Sequence, residues 1–320
     1  MSERNVLLEC IHLKKYFNTP GGKLHAVDDV SFQLEEGKTL GVVGESGCGK
    51  STLGRTILRL QPATSGQVMF EGRDILALGK REMVSLRREM QMIFQDPFSS
   101  LDPRKTVSQA IEEPLIIHRM YKSKAEREAR VAELMETVGL DYRYVNTYPH
   151  ELDGGRRQRI GIARALATNP KFIVCDEPVS ALDVSIQAQV LNLMMDLKDS
   201  MGLTYMFITH DLSVVKHISD DIMVLYLGMM VEKAPSDELF ANPLHPYTKA
   251  LLSAIPVPDI SYKGKEAEVM KGEVTSPINP PPGCRFAARC PYASEKCHEQ
   301  SPQFREMRPG HFVACHLVSE

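Results

Sequence analysis

The chain has 320 residues, 43% of them hydrophobic and 25% charged, with a formal net charge of -3 at pH 7. That length exceeds what one hydrophobic core usually serves, so one large α/β domain with a smaller appendage is expected, and the charge balance gives no electrostatic case for wrapping nucleic acid. No apolar run approaches the roughly 18 to 20 residues needed to cross a bilayer, and the polar start MSERNVLLEC lacks a secretory pattern; the sequence reads as a cytoplasmic protein able to sit against a membrane protein.

In chain order, HAVDDVSFQL (25–34) alternates polar and apolar residues as a half-exposed antiparallel strand does, and GQVMFEGRDI (66–75) repeats the pattern. Between them lies KTLGVVG (38–44), almost wholly apolar, followed by GESGCGKS and a helical stretch, LGRTILRLQ (53–61). Ser123 and Glu126 have capping-box spacing, and Ala125, Val131, Leu134, Met135 and Val138 recur at helical intervals until Gly139, which marks a helical insert. HELDGGRRQR (150–159) then runs into a second helix, IGIARAL. Three further apolar runs, KFIVCDE (171–177), LTYMFITHD (203–211) and DIMVLYLG (221–228), suit strands buried on both faces of a parallel sheet. After about residue 235 prolines break the pattern, and a domain boundary is expected near 256.

Gly44–Ser51 fits G-x-x-x-x-G-K-[ST] between a strand and a helix. Glycines let successive backbone N–H groups converge on phosphate oxygens, and the helix presents its positive end. Gly44, Glu45, Ser46, Gly47, Cys48, Gly49, Lys50, Ser51 and Thr52 are thus expected at the triphosphate, with Lys50 on the β and γ phosphates and Ser51 on Mg²⁺. Asp176 and Glu177 close an apolar strand, where nucleotide sites form; Asp176 is expected to hold Mg²⁺ and Glu177 to polarise the attacking water.

The order of phosphate loop, Gln95, LDGGRRQR, strand-CDEP, SALD (180–183) and His210 resembles the nucleotide-binding subunits of ATP-binding cassette (ABC) transporters, over about residues 5 to 256. The resemblance implies a P-loop NTPase (RecA-like) α/β core with an antiparallel β subdomain, a helical subdomain at about 98–165 and a small C-terminal extension, divided as 1–255 and 256–320. It implies ATP and Mg²⁺ as ligands. Gln95 would contact Mg²⁺ or water and transmit closure, His210 would bond the γ-phosphate, Asp183 would lie at a dimer seam, and Tyr16, ahead of the first sheet, would stack on adenine. The family's signature segment is usually Leu-Ser-Gly-Gly-Gln, opening a helix toward ATP held by a second subunit. Here Asp153 stands for Ser beside Gly154 and Gly155, and Arg156 stands for Gln. A carboxylate about 4 Å from a phosphate charge at an effective dielectric of 20 costs roughly 4 kcal/mol, against about 1 for a hydrogen bond. Either that site is weak, implying a heterodimer with a related ATPase, or Asp153 is a plain helix N-cap.

The tail, NPLHPYTKALLSAIP with GCRFAARCPYASEKC and GHFVACHL, resembles the C-terminal extension of oligopeptide, dipeptide and nickel importer ATPases. That likeness implies two membrane-spanning permease subunits and an extracytoplasmic binding protein as partners, with the chain peripheral on the cytoplasmic face of the membrane. A nickel importer ATPase and a soluble cassette acting on nucleic acid or ribosomes are the alternatives. Cys284, Cys290, Cys297 and Cys315 follow C-x5-C-x6-C-x17-C. Four thiolates suit a [4Fe-4S] cluster or Zn²⁺; the wide spacing leans toward iron–sulfur, which some members of the family carry, and unligated thiols stay open.

Overall fold

The computed structural model describes residues 5–254 and 275–318, so the boundary expected near 256 lies outside the described residues. The chain divides into two compact units: one from the described parts of Met1–Leu34, Lys38–Leu76 and Thr209–Glu320, the other from Glu35–Gly37 and Ala77–Ile208.

The first unit opens with β1 (Val6–Thr19), β2 (Gly22–Glu35), β3 (Thr39–Val43), α1 (Lys50–Ile57), β4 (Ser65–Phe70) and β5 (Arg73–Asp74). One sheet has the order β2-β1-β4-β5, with β1 antiparallel to β4 from Leu8 opposite Phe70 onward. Its half-buried strands carry the alternation read from the sequence. Tyr16 lies within β1, and so not ahead of the first sheet.

The second unit comprises α2 (Lys80–Leu86), β6 (Met90–Ile93), α3 (Pro97–Ser100), α4 (Val107–Ile117), α5 (Lys124–Thr137), α6 (Gly154–Leu166), β7 (Phe172–Asp176), α7 (Val184–Met201) and β8 (Thr204–Ile208). Strands β6, β7 and β8 run parallel, with β7 central and every residue of it buried. Burial on both faces is why KFIVCD reads as an unbroken apolar run. The capping box expected at α5 is present: the Ser123 hydroxyl accepts from the Glu126 N–H at 3.1 Å, and the Glu126 carboxylate accepts from the Ser123 N–H at 3.1 Å.

The chain returns to the first unit as α8 (Leu212–Ile218), β9 (Asp221–Tyr226), β10 (Met229–Pro235), α9 (Ser236–Ala241), α10 (Pro246–Ser253), α11 (Glu295–Glu299), β11 (Arg305–Arg308) and β12 (His311–Val313). Strand β9 pairs parallel with β3 and antiparallel with β10, and the tail strand β12 adds to the far side of β10. Among the described residues no helix is long and apolar enough to cross a membrane.

A buried acid fixes the tail to this sheet. Glu232, fully buried on β10, accepts from the backbone N–H groups of Leu244 (2.7 Å) and His245 (3.0 Å) and bonds the His311 ring of β12 at 2.7 Å. His245 in turn caps α10, its Nδ1 accepting from the Tyr247 N–H at 3.0 Å. Burial pushes His245 down from 6.5 to about 4, against the pull of Glu232. The unfolded chain therefore takes up this proton at higher pH than the folded one, so the contribution is complete above about pH 6.5 and is lost as pH falls toward 4, by up to about 3 kcal/mol. We expect the unfolding temperature to drop across that window. His245→Asn, which keeps an acceptor for the Tyr247 N–H, is expected to flatten the drop; equal slopes for the two proteins would refute the assignment.

Candidate functional site

Strand β3 leads directly into the glycine loop. Gly44 (φ 150°) and Gly49 (φ 103°) adopt backbone conformations that side chains avoid, and a Cβ at either would stand 2.2 Å from the Leu225 carbonyl oxygen or 1.9 Å from that of Ala26. The loop is thereby pressed against β9 and β2 on one side. Gly49 caps α1 without any side-chain hydrogen bond, which leaves the positive end of the helix to a ligand. Lys50 is 5% exposed, and its Nζ donates to the carbonyls of Gly44 (2.7 Å) and Glu45 (3.0 Å) with the Cys48 sulfur at 3.8 Å. These partners are neutral dipoles, so they position the side chain without forming an ion pair with it. Ser46, Gly47, Ser51 and Thr52 complete the loop and the first turn of α1.

In the second unit, β7 ends at Asp176, fully buried, and the next residue turns sharply. Glu177 has φ 47°, a left-handed backbone that costs a residue other than Gly, Asn or Asp about 1 kcal/mol or more. Its N–H is held by the Ile208 carbonyl at 2.9 Å, and its own carbonyl accepts from the Ser180 N–H at 3.3 Å and hydroxyl at 3.1 Å. Gln95, on the loop after β6, donates from its amide to the Glu177 carboxylate at 2.8 Å. The two residues expected to handle water, 82 positions apart, are therefore joined by a direct hydrogen bond.

His210 is exposed two residues beyond β8 and belongs to the first unit, where the Thr209 N–H donates to the Val42 carbonyl of β3 at 3.2 Å. It thus stands at the same strand end from which the phosphate loop departs. Tyr16 stacks on His25 with ring centroids 4.0 Å apart and donates its hydroxyl to Asp28. Burial, reinforced by that hydrogen bond, pushes the phenol up, so one aromatic face is already occupied by protein.

Asp153 is the N-cap of α6: its carboxylate accepts from the Arg156 N–H at 2.8 Å and pairs with the Arg156 guanidinium. The two departures from the usual signature are thus a matched pair, acid and base three residues apart. Gly154 and Gly155 form the first turn of α6, and a Cβ on Gly155 would stand 2.5 Å from the Ile186 side chain. Asp183 caps α7 in the same manner, accepting from the Ile186 N–H at 3.0 Å.

The four tail cysteines form no disulfide among the described residues and lie within electrostatic reach of one another. Burial pushes Cys284 up to about 11 and raises Cys290 and Cys315, with the neighbouring thiols adding to it. Their donor chemistry fits a soft metal. Among the described residues no group of three or more His, Cys, Asp or Glu side chains is placed to hold a metal ion.

Residues absent from the sequence reading surround the phosphate loop. Arg289 of the tail pairs with the Glu45 carboxylate (2.8 and 3.1 Å), the Tyr247 hydroxyl accepts from the Glu45 N–H (2.8 Å), and Arg285 donates to the Leu227 carbonyl (2.7 Å) and pairs with Asp28. The first of these contacts spans 244 positions, beyond any local pattern.

Comparison with known proteins agrees with this layout. The family model for ABC transporters matches residues 27–180, and that for the oligopeptide/dipeptide transporter C-terminal region matches residues 231–297. The oligopeptide transport ATP-binding protein AppF of Bacillus subtilis is 54% identical, with 99% of each chain covered, and OppF of the same organism is 54% identical over 97% of this chain and 96% of its own. Among solved structures, the cassette MJ0796 bound to ADP and Pi superposes with a TM-score of 0.65 at 30% identity, covering 72% of this chain and 98% of that one. With relatives of this identity aligned along almost its whole length, the chain belongs to the ABC transporter family, in the group that carries the oligopeptide/dipeptide transporter C-terminal region.

Proposed function

We propose that this chain binds and hydrolyses ATP to power peptide import, working with a second, related ATPase, two permease subunits and an extracytoplasmic binding protein, peripherally on the cytoplasmic face of the membrane. The cargo class is supported by relatives named for oligopeptide transport. Residues 1–255 act as the cassette and 256–320 as the extension.

The observation that carries the hydrolytic role is Glu177, held in a left-handed turn with its carboxylate on the Gln95 amide. A strained acid fixed from both backbone and side chain is aimed, and an aimed carboxylate is what polarising a water requires. ATP supplies the phosphoryl group; the residues around it grip, orient and take up charge. Lys50 and the α1 N-terminus face the triphosphate, and His210 bonds the γ-phosphate. Ser51 and Asp176 would supply oxygen ligands to Mg²⁺. With its N–H on Glu177, Gln95 keeps its carbonyl oxygen for the ion or the water. Tyr16 meets adenine with the face that His25 leaves open.

Asp153 gives the site completed by α6 a different character from one completed by a serine. The carboxylate is already engaged as cap and ion pair, so it offers phosphate no hydrogen-bond donor, while Arg156 reduces the repulsion. We assign this chain's own phosphate loop to the competent site, closed by the partner's signature, and the LDGGR side to the weaker one. Cys284, Cys290, Cys297 and Cys315 would hold an iron–sulfur cluster or zinc, a reading supported by their mutual electrostatic reach and soft donor chemistry; no step depends on it.

Four measurements test these assignments. Lys50→Ala is expected to abolish nucleotide binding by the full chain, and Glu177→Gln to cut ATP hydrolysis by the assembled transporter at least about 100-fold while leaving ATP bound; retention of most turnover by the latter would sink the catalytic assignment. Asp153→Ser is expected to raise nucleotide retention at the weaker site, and an unchanged count of bound nucleotides per assembly would show that Asp153 is only a cap. Full-length chain purified without oxygen is expected to carry iron with sulfide, or zinc; metal-free protein with four titratable thiols would remove the tail from metal chemistry.

A further inference from the structure

Glu45 is the second residue of the glycine loop, and three neighbours fix it. Its N–H donates to the Tyr247 hydroxyl (2.8 Å), its carbonyl accepts from Lys50 (3.0 Å), and both of its carboxylate oxygens accept from Arg289 (2.8 and 3.1 Å). Of these, Tyr247 comes from α10 and Arg289 from the tail. The tail segment is itself anchored: Phe286 is buried between Tyr226 (5.3 Å) and Tyr247 (5.4 Å), and the arginines on either side of it reach the nucleotide segments. Arg285 pairs with Asp28, which also accepts from Tyr16 and bonds His25; Arg289 pairs with Glu45. Arg289 is 8% exposed and also donates to the Tyr226 hydroxyl at 3.4 Å.

A carboxylate in a loop that must receive a triphosphate is an obstacle unless it is turned aside and neutralised. A forked guanidinium does both, because two parallel hydrogen bonds fix direction as well as charge. We propose that Arg289 is a positioning residue for the phosphate loop: the C-terminal extension holds Glu45 away from the triphosphate, cancels its charge, and so sets the affinity of the cassette for ATP. The inference rests on the ATP-binding reading of the loop. It gives the extension a role at the nucleotide that needs no metal.

The test is MgATP binding by the full chain, followed with a fluorescent ATP analogue, beside its unfolding temperature without nucleotide. Arg289→Met is expected to weaken binding about tenfold or more, the scale of a lost charged hydrogen bond. Glu45→Gln with Arg289→Met is expected to recover most of the loss seen in Arg289→Met, because the bare carboxylate is gone. A mere staple predicts the reverse: either single change and the double would be equally harmful. Native affinity in Arg289→Met, or no recovery in the double variant, overturns the proposal. Should Arg289→Met not fold, Arg289→Lys carries the test; keeping the charge without the fork, it is expected to weaken binding measurably, with recovery on adding Glu45→Gln, and native affinity there also overturns it. Loss of binding in Lys50→Ala with none in the Arg289 variants would defeat this inference alone and leave the ATP reading intact.

Discussion

A buried ammonium facing neutral partners is the constraint from which the rest of the first unit follows. Lys50 is almost wholly removed from water, and its partners are two main-chain carbonyls and a sulfur. Carbonyl dipoles hold a cation in place without cancelling it, so the loop is organised and still electrically incomplete. The glycines follow from this need: only a chain without Cβ atoms at Gly44 and Gly49 can bend tightly enough for carbonyls to converge on Nζ while resting against the backbone of β9 and β2. The surroundings follow too, since any fixed negative charge near this cation would compete with the triphosphate. The one acid inside the loop, Glu45, has its carboxylate engaged by the tail.

The second unit organises an acid where the first organises a base. Glu177 occupies a conformation its side chain disfavours, and that cost is sustained by the Ile208 and Ser180 hydrogen bonds around it and by a central strand buried along its whole length. Gln95 adds direction at the carboxylate. Rigid parallel strands with irregular, strained residues just past their carboxyl ends are how this class of sheet separates support from chemistry.

What could be read from the sequence was what chemistry imposes locally. The loop spacing, the buried strands β3, β7, β8 and β9, the Ser123 capping box and the acid pair after β7 each arise within a dozen residues, and each is where the pattern placed it. Strand β1 went unread because its burial alternates irregularly around a register shift between Ile11 and Lys14. The thiol spacing was legible, but spacing carries no distances, and among the described residues no group of three or more His, Cys, Asp or Glu side chains is placed to hold a metal ion. The contacts of Arg289 with Glu45 and of His311 with Glu232 join residues 244 and 79 positions apart; neither arginine nor histidine announces its partner, because long-range pairing is set by the path of the whole chain.

Asp153 shows how a local rule and a functional one compete at the same atom. As an N-cap, aspartate is among the best residues, and its acceptance from the Arg156 N–H satisfies an orphan donor of the helix. As a phosphate contact it is among the worst, since it has no proton to give and carries the ligand's own sign. Replacing the usual glutamine by Arg156 resolves part of that conflict: the guanidinium pairs with the carboxylate it would otherwise leave bare, while both side chains stay partly exposed at the helix mouth. An acid and a base three residues apart and in contact preserve the helix start and the local charge balance, and they leave no hydroxyl at the head of α6.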